Sequence, residues 1–392
     1  MTYTFPFTGH TMLLPEIVRA DNCELYDAAG NRYLDLEAGV WCTSVGHGHP
    51  AVKKAISEQM ERIAHVGFCY TSQVVERAAA EVLNVTGHPD GKCVFLCSGS
   101  EAIEYGLRVI RALSDKPKIL TMADSYFGAY GDAAGKETER WVAFDWFGCE
   151  GCPSAHCGAD CARWASIPFE SIGAFLLEPG SSSGMVSFPP AKLLAAIGRQ
   201  MVAQDGYVMI NEVTTGVGRT GAWFGFQHYD LQPDIVALGK GIGNGYPVSV
   251  TSMGARVVDR LGGRPVAYAQ SHQNDPLGAV VAESVVTTIR QEELLEKAQP
   301  LSTLLLEGLR AVQAESGKIA AVRGRGLMVA VELTDDGDHA GAAVLHERLV
   351  RAGYIVAHRP ASQVLRIDPA LTIAAQDIEL FLEAFSRLVK EL

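Results

Sequence analysis

Five short apolar runs constrain the fold of this chain more than any other feature: 93–97 (CVFLC), 118–122 (KILTM), 174–178 (AFLLE), 208–211 (VMIN) and 235–238 (IVAL). None alternates apolar with polar residues, so each reads as a strand buried on both faces. Helical patterns fall between them, which implies an α/β unit around a mostly parallel sheet. The stretch 39–50 (GVWCTSVGHGHP) is a glycine-punctuated loop, and 51–64 takes up a helical rhythm. After about residue 280 the texture changes to longer amphipathic helices around 326–332 (GLMVAVE) and 364–367 (VLRI), the strands of a smaller α+β unit.

With 392 residues, 48% hydrophobic and 20% charged, the chain can bury a core large enough for two lobes. A formal net charge of -12 without a dense Lys/Arg block argues against nucleic acid or anionic lipid and for small-molecule partners. The opening residues lack a basic start followed by a long apolar core, and no window reaches the roughly 18 to 20 apolar residues of a spanning helix. The expected location is therefore the cytoplasm, away from membranes. Nine cysteines, an odd number, point to reduced thiols or a metal site rather than a disulfide framework.

Ligands of open α/β sheets gather beyond the carboxyl ends of the strands. Ser98, Gly99, Ser100 and Glu101 stand there in a tight turn between a strand and a helix, where free backbone N–H groups and the helix dipole favour a phosphate. A serine before Glu-Ala is equally a plain N-cap. Tyr126 follows the second run, either as a core aromatic or as a face for a flat ring. Glu178 ends its strand beside Pro179. Asn211, Glu212, Val213 and Thr214 end theirs, and the next run delivers Lys240 between Gly239 and Gly241, where little bulk obstructs its amine. Such a lysine suits Schiff-base chemistry.

Asn211-Glu212-Val213, then Gly218-Arg219-Thr220-Gly221, Pro233-Asp234 and Gly239-Lys240-Gly241, at their spacing, resemble the class III aminotransferases. The similarity runs from roughly residue 10 to the C-terminus. The resemblance implies a fold type I enzyme dependent on pyridoxal 5'-phosphate. It further implies a large α/β domain over 46–280 with a seven-stranded type of sheet, and a small α+β domain from 1–45 plus 281–392. Lys240 would be the Schiff-base lysine and Tyr126 would stack on the pyridine ring. Gly99 and Ser100, with Ser98, would hold the phosphate, and Glu178, Asn211, Val213 and Thr214 would surround the cofactor. Trp41 reads either as a wall of the substrate pocket or as a buried core tryptophan.

Arg366 matches a mobile arginine of the family, and Ser183 falls where ω-amino acid members often carry the glutamate that pairs with it. Arg366 is therefore expected to be free for a substrate carboxylate. Ser271 matches a hydroxyl residue that reaches the phosphate of the neighbouring subunit, implying a homodimer or higher homo-oligomer with a shared site.

Two positions depart from the family pattern: Asn211 replaces an aspartate that holds the proton on the pyridine nitrogen, and Thr214 replaces a glutamine that bonds the phenolic oxygen. An amide carries no charge to favour the pyridinium, so the electron sink weakens. The expected reaction is a slowed transamination between a small amino acid or amine and a keto acceptor, with Glu212 or a water compensating. Racemisation or epimerisation at Cα, or elimination by a lyase, is the alternative; an idle cofactor-bound scaffold is a third. Finally, Cys149, Cys152, Cys157 and Cys161 have spacing that can close a tetrahedral zinc site or hold an iron–sulfur cluster, with His156 as a substitute ligand. Loop disulfides and four reduced thiols are the other readings.

Overall fold

In the computed structural model, which describes all residues except 1–2, 6–11, 15, 137–138, 182–184, 335–340 and 361, all five apolar runs contribute strands to one sheet. Its order is Lys92–Leu96, Ser249–Met253, Ile235–Leu238, Tyr207–Asn211, Ile172–Leu177, Lys118–Met122 and Trp141–Phe144. The last five strands are mutually parallel, whereas Ser249–Met253 runs antiparallel to both neighbours. The strand period of two divides the core between the faces. Val208 and Ile210 enter one hydrophobic cluster, and Tyr207 and Met209 the other. The sheet is the mostly parallel one expected, with helices between its strands.

The helix Gly99–Leu113 shows how local sequence fixes position. Ser98 Oγ accepts from the Glu101 N–H at 3.3 Å, and Glu101 Oε2 accepts from the Ser98 N–H at 2.9 Å, closing a capping box. The buried face carries Ile103, Leu107, Val109 and Ile110, each worth about 1.5–3 kcal/mol if fully buried. Gly106 brings this helix against the sheet, since a Cβ there would lie 2.5 Å from Met209 Cε.

Ser249–Met253 escaped the reading from apolar runs because its middle is polar. Thr251 Oγ1 donates to the Ala102 carbonyl at 2.9 Å, and Ser252 Oγ meets Thr86 Oγ1 at 2.8 Å and His88 Nδ1 at 2.9 Å. With their hydrogen bonds made, these side chains tolerate complete burial.

A second, antiparallel sheet comprises Ile319–Arg325, Met328–Leu333, Val364–Ile367 and Ala357–His358. Ile17–Asp21, Glu24–Asp27 and Arg32–Asp35 form a third, which Tyr354–Ile355 joins in parallel beside Arg32–Asp35. Residues near both chain ends thus share one sheet.

Between Arg32–Asp35 and the helix Pro50–Met60, the backbone makes one left-handed turn, with φ of 47° at Ala38, 55° at Gly39, 60° at Val40 and 64° at Trp41. The Trp41 N–H closes it on the Glu37 carbonyl at 3.0 Å. Left-handed geometry costs about 1–2 kcal/mol per L-residue, so the surroundings must hold this turn in place. Among the described residues no helix is long and apolar enough to cross a membrane.

Candidate functional site

Lys240 begins the short 3-10 turn Lys240–Gly243 at the end of the strand Ile235–Leu238. Its glycine neighbours answer to close packing: a Cβ on Gly241 would lie 2.3 Å from Ser44 Oγ, and one on Gly239 would lie 3.2 Å from Val213 Cγ1. The lysine itself holds φ +46°, a strained value fixed by its surroundings. Its Nζ stands 4.7 Å from the centre of the Trp41 ring. Desolvation lowers the lysine pKa, and Arg366 acts in the same direction against the opposing influence of Cys42, Glu178 and Asp368. A larger share of neutral amine makes a better nucleophile.

The lysine opens on a cavity of about 190 Å³ that Gly99, Ser100, Tyr126, Asn211, Val213 and Thr214 also line. Ile103, Phe127 and Gly128, to which the sequence reading gave no role, complete the lining. The N-terminus of Gly99–Leu113 reaches this cavity, so its backbone donors and positive dipole end lie at the wall. Ser100 Oγ accepts from the Ala129 N–H at 3.0 Å, leaving its own hydrogen available. Ser98 serves as the helix cap and does not line the cavity.

Glu178 braces the opposite elements. Its Oε2 accepts from the Tyr126 N–H at 3.1 Å and its Oε1 from Thr214 Oγ1 at 3.3 Å. Asn211 is similarly engaged: Nδ2 donates to the Tyr126 carbonyl at 3.0 Å, and Oδ1 accepts from the Val213 N–H at 3.1 Å. Glu212, expected to offset the uncharged amide of Asn211, has its carboxylate engaged elsewhere. Its carboxylate accepts from Thr215 Oγ1 at 2.6 Å and from the Gly225 and Phe226 N–H groups, each at 2.8 Å, and so organises the following loop. Burial pushes its carboxyl up to about 7 against those donors.

Arg366, in Val364–Ile367, lays its guanidinium over the other member of the expected substrate wall, with Cζ 3.7 Å from the Trp41 ring centre. A glutamate nevertheless stands near the arginine that was expected to be free for a substrate carboxylate. Glu37 Oε1 lies 3.9 Å from its Nη2, supplied by the residue that starts the left-handed turn. No motif marked Glu37, because its relation to Arg366 arises only when the two ends of the chain come together. Ser183 lies outside the described residues.

Ser271 is exposed and does not line the cavity. The four cysteines are free thiols. Burial raises the pKa of Cys149 and of Cys157, and nearby cysteines add to both shifts. The four sulfurs do not gather into a group that could hold a metal ion; among the described residues His65, His272 and Asp275 do. The expected metal clip is thus not closed, because the loop carrying the thiols leaves them apart.

Comparison with known proteins places this geometry. A family profile described as Aminotransferase class-III matches residues 7–136 and 162–389. An acetylornithine aminotransferase of Streptomyces coelicolor is 30% identical over 376 residues, covering 96% of this chain and 91% of that protein. A leucine/methionine racemase of Thermococcus litoralis is 27% identical over 416 residues, covering 99% of this chain and 93% of that protein. A solved structure of taurine:2-oxoglutarate aminotransferase from Bifidobacterium kashiwanohense, in complex with PLP and glutamate, superposes with a TM-score of 0.87 at 20% identity, covering 98% of this chain and 95% of that one. The chain belongs to the aminotransferase class-III family, the pyridoxal phosphate-dependent transaminases.

Proposed function

We propose that this enzyme moves the amino group of a small amino acid or amine to a keto acceptor, with Lys240 as the catalytic residue. The observation that carries this reading is the enclosed Lys240 amine on a cavity that the Gly99–Leu113 N-terminus also lines. These residues fit pyridoxal 5'-phosphate. A lysine, an anion-binding helix end and a gap beside the Tyr126 ring lie around one cavity. Gly128, at φ +130°, leaves the space that Ser100 fills, since a Cβ there would lie 2.4 Å from Ser100 Oγ. When bound, the cofactor supplies an aldehyde that carries the amino group and a ring that accepts electrons from Cα.

The chain's residues divide the remaining work. Lys240 Nζ holds the cofactor and, once released, moves the proton from the substrate Cα. Backbone N–H groups at Gly99 and Ser100, with the Ser100 hydroxyl, bind phosphate. Asn211 offers the ring nitrogen its remaining amide hydrogen and no charge, while Thr214 keeps its hydroxyl on Glu178. That combination leaves the nitrogen unprotonated and slows loss of the Cα proton. Arg366 and Trp41 receive a substrate carboxylate.

Ser271 would complete the partner's phosphate site in a homodimer. Its exposure on the single chain is compatible with that role. The pairing of Arg32–Asp35 with Tyr354–Ile355 supports a small domain of 1–45 plus 281–392 beside a large one of 46–280. For the cysteine loop, zinc or an iron–sulfur cluster remains the proposal, supported by the ligand spacing; a metal ion would have to draw the sulfurs together.

Racemisation at Cα is the second reading, favoured by the uncharged Asn211 and by the racemase among the relatives. Incubation with amino acids in deuterated water, without a keto acid, separates the two readings. Conversion of the cofactor to its amine form supports transamination, whereas deuterium at Cα with the aldehyde retained supports racemisation. Lys240→Ala is expected to abolish both turnover and the covalent cofactor absorbance; full activity in that variant overturns the proposal.

A further inference from the structure

Outside the cavity of Lys240, one cluster joins side chains that are far apart in the chain. Asp275 Oδ1 accepts from His65 Nδ1 at 2.5 Å, and Asp275 Oδ2 accepts from His272 Nδ1. The two imidazole rings stand 5.0 Å apart between centres and are tilted by 58°. Each of the three residues thus brings one nitrogen or oxygen into a group that could hold a metal ion. Among the described residues Asp275 pairs with no lysine or arginine, so the two imidazoles are its ionic partners.

Backbone contacts hold both contributing segments in place. His65 follows the helix Pro50–Met60, and the carbonyl of the adjoining Ala64 accepts from the Leu277 N–H at 3.4 Å. On the other segment, the Asn274 N–H donates to the Phe95 carbonyl at 2.9 Å while Asn274 Oδ1 accepts from the Phe95 N–H at 2.9 Å. The residue before Asp275 is therefore locked to the strand Lys92–Leu96. Asn274 holds φ +59°, a left-handed value that asparagine adopts more readily than most residues, and it turns the chain between His272 and Asp275. The Asp275 N–H then donates to the His272 carbonyl at 3.3 Å. Ligands on anchored backbone lose little freedom when they close on an ion. The site is also open, since both imidazoles are half exposed and His272 and Asp275 border a cavity of about 200 Å³. Water can fill the remaining ligand positions there.

We propose that His65, His272 and Asp275 form a binding site for a divalent transition-metal cation of the zinc type, which clamps the segment after Pro50–Met60 to the loop that opens the helix Pro276–Gln291. Two imidazoles and a carboxylate suit zinc, cobalt or nickel and disfavour magnesium and calcium, which take oxygen ligands. In the closed site each Nδ1 turns its lone pair on the cation, its hydrogen passing to Nε2 of the same ring, and one Asp275 oxygen becomes the third ligand. Ligands of one zinc ion stand roughly 3.3 Å apart, so the carboxylate swings back from its present hydrogen bonds to admit the ion. Three ligands on an exposed surface make the ion exchangeable, in contrast to the set of thiolates proposed for the cysteine loop.

The test uses the full-length, cofactor-loaded enzyme, with zinc followed by calorimetry and cobalt(II) by absorbance. Added zinc is expected to fill one site per chain with a dissociation constant of about 10 µM. That site is expected to persist in a Cys149→Ser/Cys152→Ser variant and to raise the melting temperature by several degrees at saturation. Cobalt(II) bound there is expected to lack the strong sulfur-to-metal charge-transfer absorbance of a thiolate site. His65→Gln and His272→Gln, at exposed positions that do not put the fold at risk, are each expected to weaken binding about tenfold and to remove the rise in melting temperature. No uptake, equal affinity in native and histidine variants, or a cobalt(II) spectrum dominated by thiolate bands that the cysteine variant abolishes overturns the site. Binding that the histidine variants lose but that leaves the melting temperature unchanged overturns the clamp.

Discussion

Asn211 is held by the backbone around it. Its Nδ2 donates to the Tyr126 carbonyl at 3.0 Å, so the surrounding backbone is built to receive an amide. An aspartate in the same pose would set oxygen against oxygen, with the Tyr126 carbonyl left unpaired. Asn211→Asp is thus expected to cost about 1–3 kcal/mol of stability without cofactor, measured by denaturant unfolding. In the loaded enzyme the same variant is expected to speed the amino-donor half-reaction about tenfold by favouring a protonated ring nitrogen, measured by the rate of cofactor absorbance change. The identity of residue 211 was readable from its place after an apolar strand. Its partner was not, because a side-chain bond to a distant carbonyl leaves no pattern in the sequence.

At the scale of elements, the helix Gly99–Leu113 depends on the absence of a side chain at its first residue. A Cβ on Gly99 would lie 2.8 Å and 2.9 Å from the two methyl carbons of Val213. Gly99→Ala is expected to displace the helix end or the ring-facing loop and to weaken cofactor affinity about tenfold while leaving the fold intact, measured by cofactor titration and circular dichroism. The apolar strands and this strand-turn-helix junction could be read from sequence because burial on both faces demands uninterrupted hydrophobic runs. The strand Ser249–Met253 could not, since Thr251 and Ser252 are buried by hydrogen bonding rather than by hydrophobicity. The left-handed turn was equally hidden. Val40 and Trp41 are residue types that disfavour positive φ, and only tertiary contact can hold them there.

At the scale of the whole molecule, the family match skips residues 137–161, which contain all four clustered cysteines and the edge strand Trp141–Phe144. The cysteine loop therefore lies outside the residues that the family profile matches. Metal analysis of the purified protein is expected to find about one zinc per chain, or iron with acid-labile sulfide if a cluster is present. Absence of metal, with all nine cysteines titrating as thiols after unfolding, would refute the assignment. Elsewhere the frame is drawn together by long-range contacts. Arg219 is fully buried and donates from Nη1 to the Leu327 carbonyl at 3.2 Å and the Asp368 carbonyl at 3.1 Å, tying the loop after Tyr207–Asn211 to the antiparallel sheet.

The shared sheet at the chain ends also sets an order of events during synthesis. Arg32–Asp35 leaves the ribosome early, yet its parallel neighbour Tyr354–Ile355 and the arginine in Val364–Ile367 emerge only near the end. Lys240 and the residues around its cavity are already available by then. The proposed carboxylate-binding arginine is consequently among the last parts of the pocket to exist, and a nascent chain halted before Val364 carries Lys240 without it.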